Sequence, residues 1–251
     1  MTKLTELMHS LLPCAKEAGE AIMHIHAGTV TAEIKGDGSP VTAADEAAEV
    51  IILDALKSKA PEIPIVSEEN SESHAMKAPE TFFLVDPLDG TKEFLKKDGK
   101  GAFTVNIALI KNSTPIMGIV YAPALERLFY GSIDDGAFEN GREISIRSLP
   151  QTGPVAVASA SHRDAETDQW LSNNKITDTV SIGSSLKFCL VASGEADVYP
   201  RFGPTMEWDT GAGDAVLRAA GGSVSNPDGS LFKYAKPEYR NGPFIAKGQM
   251  E

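Results

Sequence analysis

The chain is poor in cysteine and in positive charge, and it carries no long apolar run. Cys14 and Cys189 are its only thiols in 251 residues, and they form no CxxC pair. Two thiols without that spacing suggest a reducing compartment rather than a disulfide scaffold. Lys and Arg number 23 against 35 Asp and Glu, leaving a net charge of −12. A general nucleic-acid binder needs a basic face, so that class is set aside. An anionic small molecule is still admissible as substrate, because bound cations reverse the local sign of a site. No stretch approaches the length of a membrane span. The opening MTKLTELMHS lacks a basic segment leading into a long apolar core, so no signal peptide is expected. The expectation is a cytoplasmic protein, with peripheral contact at the inner membrane left open. The P-loop, zincin and nucleophile-elbow motifs are missing too, and Gly211-Ala212-Gly213 is too short for a dinucleotide fingerprint. His24 and His26 are two apart and so point to different helix faces, a poor metal pair.

What remains is ordinary globular material, 42% hydrophobic and 23% charged, long enough for one large domain or two compact halves. Leu4, Leu7, Met8, Leu11, Ala15, Ala18, Ile22 and Ile25 recur at helical spacing, with Pro13 expected to kink the helix or start a new segment. Thr42 reads as the cap of a helix over 43–57. IPIVS and TFFLV read as short buried strands, and residues 103–147 as β-rich with a hairpin at Asn140-Gly141. After SLPQTGP the texture alternates between strand and helix, which predicts some parallel pairing. The expected division is 1–150, an α+β half with most of the acidic candidates, and 151–251, an α/β half.

Acidic residues close several of these elements. LVDPLDGTKEF ends an apolar run with Asp86 and Asp89, pinned by Pro87 and Gly90. Asp45, Glu68 and Asp209 stand at the ends of three other elements. Oxygen ligands of this kind suit Mg²⁺, which takes carboxylates together with substrate phosphate. Each has an ordinary structural reading as well. Asp45 completes a capping box with Thr42, Asp209 can cap a helix, and Glu68 can be a solvated charge after a strand. Two carboxylates three residues apart on a stiffened turn are harder to dismiss, although spacing alone does not show that the four segments meet.

These residues carry a resemblance. DPLDGT, preceded by SEE and followed by WDTGAGD, resembles the inositol monophosphatase superfamily of Mg²⁺-dependent, lithium-sensitive phosphatases. KGDGSPVTAAD, LVDPLDGTKEF, FTVNIALI, GIVYAP, IGSSLKFCLVASG and YPRFGPTMEWDT look more specifically like its 3′(2′),5′-bisphosphate nucleotidase branch, in the same order over nearly the whole chain. The resemblance implies a layered αβαβα sandwich of the sugar-phosphatase type. It also implies hydrolysis of adenosine 3′,5′-bisphosphate to AMP and phosphate in sulfate assimilation, with the related sulfated nucleotide as a second substrate. Inositol monophosphatase or fructose-1,6-bisphosphatase activity, or a catalytically silent nucleotide-binding protein on the same fold, are the alternatives.

Residue by residue, the family pattern implies that Glu68, Asp86 and the Leu88 carbonyl hold one Mg²⁺. It gives Asp86, Asp89 and Asp209 to a second ion, and sets Asp45 near a third, weaker one. Thr91, with Asp45 behind it, matches the pair that orients and deprotonates the attacking water. The Gly90 and Thr91 amides match the phosphate cradle. Ser159, His162, Gly183 and Lys187 match nucleotide contacts, and Arg201 offers a second cation. Related enzymes read Ser-Arg-Ser-His where this chain reads Ser159-Ala160-Ser161-His162-Arg163. If the arginine missing here binds phosphate in those enzymes, Arg163 must substitute for it or affinity for a 5′-phosphate falls.

Overall fold

The computed structural model describes residues 2–34, 40–96, 101–159 and 164–250. Its centre is a seven-stranded sheet whose strands are ordered as they occur along the chain, from Ile65–Ser67 to Arg142–Ile144. The first pair, Ile65–Ser67 with Thr81–Asp89, is parallel, and the rest form an antiparallel meander. The expected hairpin is present between Gly136–Glu139 and Arg142–Ile144, with Asn140 at φ 47° and Gly141 at φ 82°. Both turn residues thus take the left-handed conformation that Asn-Gly favours.

The strand code explains why this sheet is covered on both faces. Successive side chains of a strand point to opposite sides. Phe83 and Val85, with Val105, Ile107 and Leu109, meet Met8, Leu11, Ala15, Ile22, Ile52 and Leu56 from the helices Lys3–Ala27 and Ala43–Lys59. Phe82 and Leu84, with Ala108 and Ile110, meet Leu186, Ala212 and Val216 from the helices Leu186–Ala192 and Gly211–Ala219. An antiparallel sheet often leaves one face wet; here the nearly continuous apolar runs have a helical layer on each side. Gly118 lets the Gly211–Ala219 helix approach closely, because a Cβ there would lie 2.2 Å from the Ala212 carbonyl oxygen.

Beyond those two helices lies a second sheet of five strands, ordered Asp178–Ile182, Val155–Ser159, Val198–Arg201, Phe244–Lys247 and Ser223–Ser225. Its first three strands are parallel and its last two contacts antiparallel. Val157, Tyr199, Val224 and Phe244 face the shared helices, while Ala156, Val198 and Ile245 pack with Leu171 of the outer helix Ala165–Asn173. The result is the α/β sandwich of five layers, αβαβα.

Of the two outcomes expected at Pro13, a new segment is not the one the structure shows. One helix runs from Lys3 to Ala27 with Pro13 inside it, and no second segment starts there. Pro13 is exposed, so the carbonyl deprived of its helical donor lies on the wet face. The strand Asp178–Ile182 and the short helices Ser71–His74 and Thr91–Lys96 were not anticipated. Among the described residues, no helix is long and apolar enough to cross a membrane.

Candidate active site

Parallel pairing of the first two strands puts two acids side by side. Ser67 is in register with Val85, and the Glu68 amide donates to the Val85 carbonyl at 3.0 Å. Glu68 therefore leaves the sheet next to Asp86. The Thr81–Asp89 strand then bulges: Asp86 faces Asn106 and Asp89 faces Thr104, three residues of advance against two. A bulge of this kind re-aims side chains at a sheet edge. Within it the Leu88 amide donates to Asp86 Oδ1 at 3.0 Å. Gly90 follows at φ 92°, a conformation that glycine adopts without strain, and the chain turns into the Thr91–Lys96 helix.

The fourth acid comes from the other end of the chain. Asp209 precedes the Gly211–Ala219 helix, and its Oδ2 accepts the Met206 amide at 2.8 Å. Because that helix packs between the two sheets, Asp209 arrives at the bulge. Glu68, Asp86 and Asp209 each bring a carboxylate oxygen within 4.8 Å of the others. Asp89 lines the same cavity, and the Ser185 amide anchors it from a distant segment of the chain. Ser185 N–H donates to Asp89 Oδ2 at 2.5 Å, while its Oγ donates to Asn106 Oδ1 at 2.6 Å and lies 2.8 Å from Thr104 Oγ1.

Burial and crowding together set the charge state of these acids. Burial pushes the Asp86 carboxyl well above the usual range, and Glu68, Asp89, Asp209 and Asp45 push it further. Burial also raises Asp209, with Asp89 and Glu68 adding to it against the Met206 amide and Arg201. Asp89 is pushed up to about 6 by burial, with Lys187 and the Ser185 amide pulling the other way. Hard oxygen donors gathered this closely repel one another when ionised, and a divalent cation removes the penalty. The donor set therefore fits a metal ion.

Asp45 and Thr91 form a separate pair at the cavity edge. Asp45 is buried, and its Oδ2 closes the capping box by accepting the Thr42 amide and hydroxyl, each at 2.8 Å. Its Oδ1 accepts from Thr91 Oγ1 at 3.4 Å, and the same hydroxyl lies 3.2 Å from the Leu88 carbonyl oxygen. Thr91 lines the cavity and Asp45 stands behind it.

The cavity measures about 570 Å³ and is lined by Glu68, Asp86, Leu88, Asp89, Gly90, Thr91, Ser159, Gly183, Lys187, Arg201 and Asp209 among others. The sequence candidates thus gather in one place, with Asp45 just behind the wall. His162, like Ala160 and Arg163, lies outside the described residues. Lys187 is 4% exposed; its Nζ donates to the Ser184 carbonyl at 2.5 Å and sits 5.2 Å from the centre of the Tyr199 ring. Burial lowers its pKa to about 8, with Asp89 opposing and Arg201 reinforcing the fall. Arg201 is buried, and its guanidinium donates to the Gly203 and Pro204 carbonyls at 3.1 and 3.0 Å. Gly183 leaves no room for a side chain, since a Cβ would lie 2.7 Å from Glu93 Cγ and 2.9 Å from the Ala102 carbonyl oxygen. Sequence reasoning missed Ser185, Glu93, Asp164 and Tyr199. Ser185 sits in the SLKFCL string, but it acts largely through its backbone amide, which leaves no residue-type signature.

A sheet-edge cluster of acids beside buried cations, on a five-layer sandwich, defines the class, and the chain belongs to the inositol monophosphatase family, whose model matches residues 3–249. Among its relatives, the 3′(2′),5′-bisphosphate nucleotidase CysQ of Shigella flexneri is 45% identical over 239 residues, covering 92% of this chain and 95% of that protein. CysQ of Escherichia coli strain K12 is 44% identical over 237 residues, with the same coverage. Among solved structures, CysQ from Bacteroides thetaiotaomicron, described as a bacterial member of the inositol monophosphatase family, superimposes with a TM-score of 0.86 at 35% identity, covering 99% of both chains. The inositol monophosphatase of Anabaena is further off in sequence, at 26% identity and a TM-score of 0.81, covering 99% of this chain and 93% of that one.

Proposed function

We propose that the protein is a phosphatase that removes the 3′-phosphate of adenosine 3′,5′-bisphosphate to give AMP and phosphate, and that it also accepts the related sulfated nucleotide. The observation that carries this reading is the pairing, in one cavity, of an acidic cluster with two buried cations, Lys187 and Arg201. An acid cluster with metal serves one phosphate; the cations supply charge for a second anionic group on the same substrate. The CysQ relatives, named as bisphosphate nucleotidases, support the same choice. Two buried, free thiols fit a cytoplasmic site of action.

In this reading Glu68, Asp86, the Leu88 carbonyl, Asp89 and Asp209 hold two Mg²⁺ ions, with Asp45 close to a third position. When bound, the cations neutralise charge on the phosphoryl oxygens and make water acidic enough to attack near neutral pH. The protein's own contribution is positional. Thr91 Oγ1 takes a proton from the attacking water as its own hydrogen passes to Asp45 Oδ1, so Thr91 is a conduit and not a nucleophile. The Asp45 contacts with Thr42 keep that carboxylate aimed at Thr91. The Gly90 and Thr91 amides hold the phosphate, and Ser159, Gly183, Lys187 and Arg201, with His162, hold the nucleotide. Residues 1–150 then supply most of the metal ligands, and 151–251 supply Asp209 and the specificity residues.

Turnover of adenosine 3′,5′-bisphosphate, inositol 1-phosphate and fructose 1,6-bisphosphate by the purified protein tests the reading. The nucleotide is expected to release phosphate fastest. Faster release from either sugar phosphate overturns the substrate assignment, and no release from any of them overturns the enzyme.

A further inference from the structure

Glu68 and Asp209 reach the acid cluster from segments far apart in the chain, and one side chain touches the backbone of one segment and the ring of the other. The strand that delivers Glu68, Ile65–Ser67, is only three residues long and lies at the sheet edge. After it the chain turns into the short helix Ser71–His74. His74 Nε2 lies 2.8 Å from the Ser67 carbonyl oxygen. A carbonyl only accepts, so this ring nitrogen carries the hydrogen. The same imidazole stacks on Trp208, with ring centroids 4.6 Å apart and planes at 21°. Ser67 directly precedes Glu68, and Trp208 directly precedes Asp209.

The Trp208 side of this contact is held from the opposite direction. Buried Glu207 accepts the amides of Ala235 and Lys236, each at 2.9 Å, and its own amide donates to the Tyr239 carbonyl at 2.7 Å. The Tyr239 hydroxyl donates to the Met76 carbonyl at 3.0 Å, closing a loop back to the segment that carries His74. Asp209 is thereby backed from the C-terminal side, while the Glu68 segment, a three-residue edge strand, takes bracing from His74. Groups behind the ligands that fix their orientation commonly matter to metal affinity nearly as much as the ligands.

We infer that His74 is a positioning residue for the metal site, tying the Glu68 segment to the Asp209 segment through one hydrogen bond and one ring stack and so setting the spacing of the two carboxylates. This rests on the reading of Glu68, Asp86 and Asp209 as metal ligands.

The test is calorimetric titration of the full chain with Mg²⁺ alone, without substrate, alongside thermal unfolding of the same samples in EDTA. His74→Ala is expected to bind Mg²⁺ roughly tenfold more weakly than wild type. At saturating Mg²⁺ its KM for the nucleotide stays at the wild-type value and its kcat recovers. His74→Phe keeps a stacked ring without the donor, and His74→Gln keeps a donor without the stack; each is expected to lie between Ala and wild type. A folded His74→Ala with wild-type Mg²⁺ affinity overturns the inference, because a purely structural role lowers thermal stability and leaves the Mg²⁺ midpoint alone. If His74→Ala does not fold, wild-type affinity in both the Phe and Gln variants overturns it, and weakened affinity in either folded variant supports it. No Mg²⁺ uptake by the wild type overturns the metal reading itself, and this inference with it.

Discussion

Replacing Asp89 by Asn separates what the acid cluster does for function from what it does to the fold. Asp89 sits with its carboxyl pushed up to about 6, against an ordinary value near 4, by burial first of all. Keeping it ionised at pH 7 in EDTA therefore costs the folded chain about 3 kcal/mol relative to the unfolded one, at 1.36 kcal/mol for each unit of displacement. Part of the site is solvent-accessible, which reduces the gain from removing the charge to about 2 kcal/mol. Asn retains an oxygen that can accept the Ser185 amide. For a chain of this size the variant should unfold about 5 °C higher than wild type in EDTA. The sign follows from the raised value. A carboxyl that holds its proton more tightly when folded contributes stability fully present below about pH 4 and lost as pH rises through about 6. Thermal unfolding in EDTA from pH 4 to 8 should thus show a decline in the wild type that is shallower in Asp89→Asn. Mg²⁺ at a hundredfold excess over its dissociation constant should return roughly 3 kcal/mol to the wild type and far less to the variant. Phosphate release by the variant should fall to a small fraction of wild type. An Asp89→Asn protein that is less stable than wild type in EDTA, or that Mg²⁺ stabilises equally, refutes the reasoning.

Lys187→Met should fold at least as well as wild type, since it relieves a buried amine whose pKa has fallen to about 8, while KM for the nucleotide rises roughly 10- to 100-fold in steady-state assays. Thr91→Ala should lower kcat on the order of 10²-fold or more, and Thr91→Ser should restore most of it, because the proton path needs only the hydroxyl facing Asp45. Arg147→Ala should cost about 1–2 kcal/mol in urea unfolding at pH 7, because it takes a partly exposed partner from buried Asp197, whose carboxylate oxygens accept Arg147 Nε and Nη2 at 2.8 and 2.7 Å, and leaves it the Val155 amide. Burial would raise Asp197, but Arg147 and the Val155 amide hold it below the usual range. Its contribution is therefore present above about pH 4 and lost as pH falls further, and Arg147→Ala should show less of that acid-side loss.

Much of the fold was legible because its signals are local. TFFLV and FTVNIALI alternate between two buried faces, and Asn140-Gly141 marks its hairpin. Thr42 and Asp45 form their capping box, an expectation resting on four consecutive residues. The convergence of Asp209 with Asp86 was not derivable from spacing. It depends on how the Gly211–Ala219 helix packs between two sheets, so family resemblance had to supply it. At Pro13 a kink and a new segment were both open in the sequence, because the cost of continuing the helix depends on whether the orphaned carbonyl meets water. Ser185 escaped because a backbone amide reads the same in every residue. His74 escaped because a histidine in a short polar segment means nothing until its two neighbours, Ser67 and Trp208, are brought together.

The central claim is that Glu68, Asp86 and Asp209 meet to hold divalent metal. Crystals of the protein grown with Mn²⁺, measured at a wavelength where manganese scatters anomalously, test it most directly. The account predicts an anomalous peak within coordination distance of carboxylate oxygens from all three residues. Well-ordered carboxylates with no peak among them, at Mn²⁺ concentrations that support turnover, would contradict it.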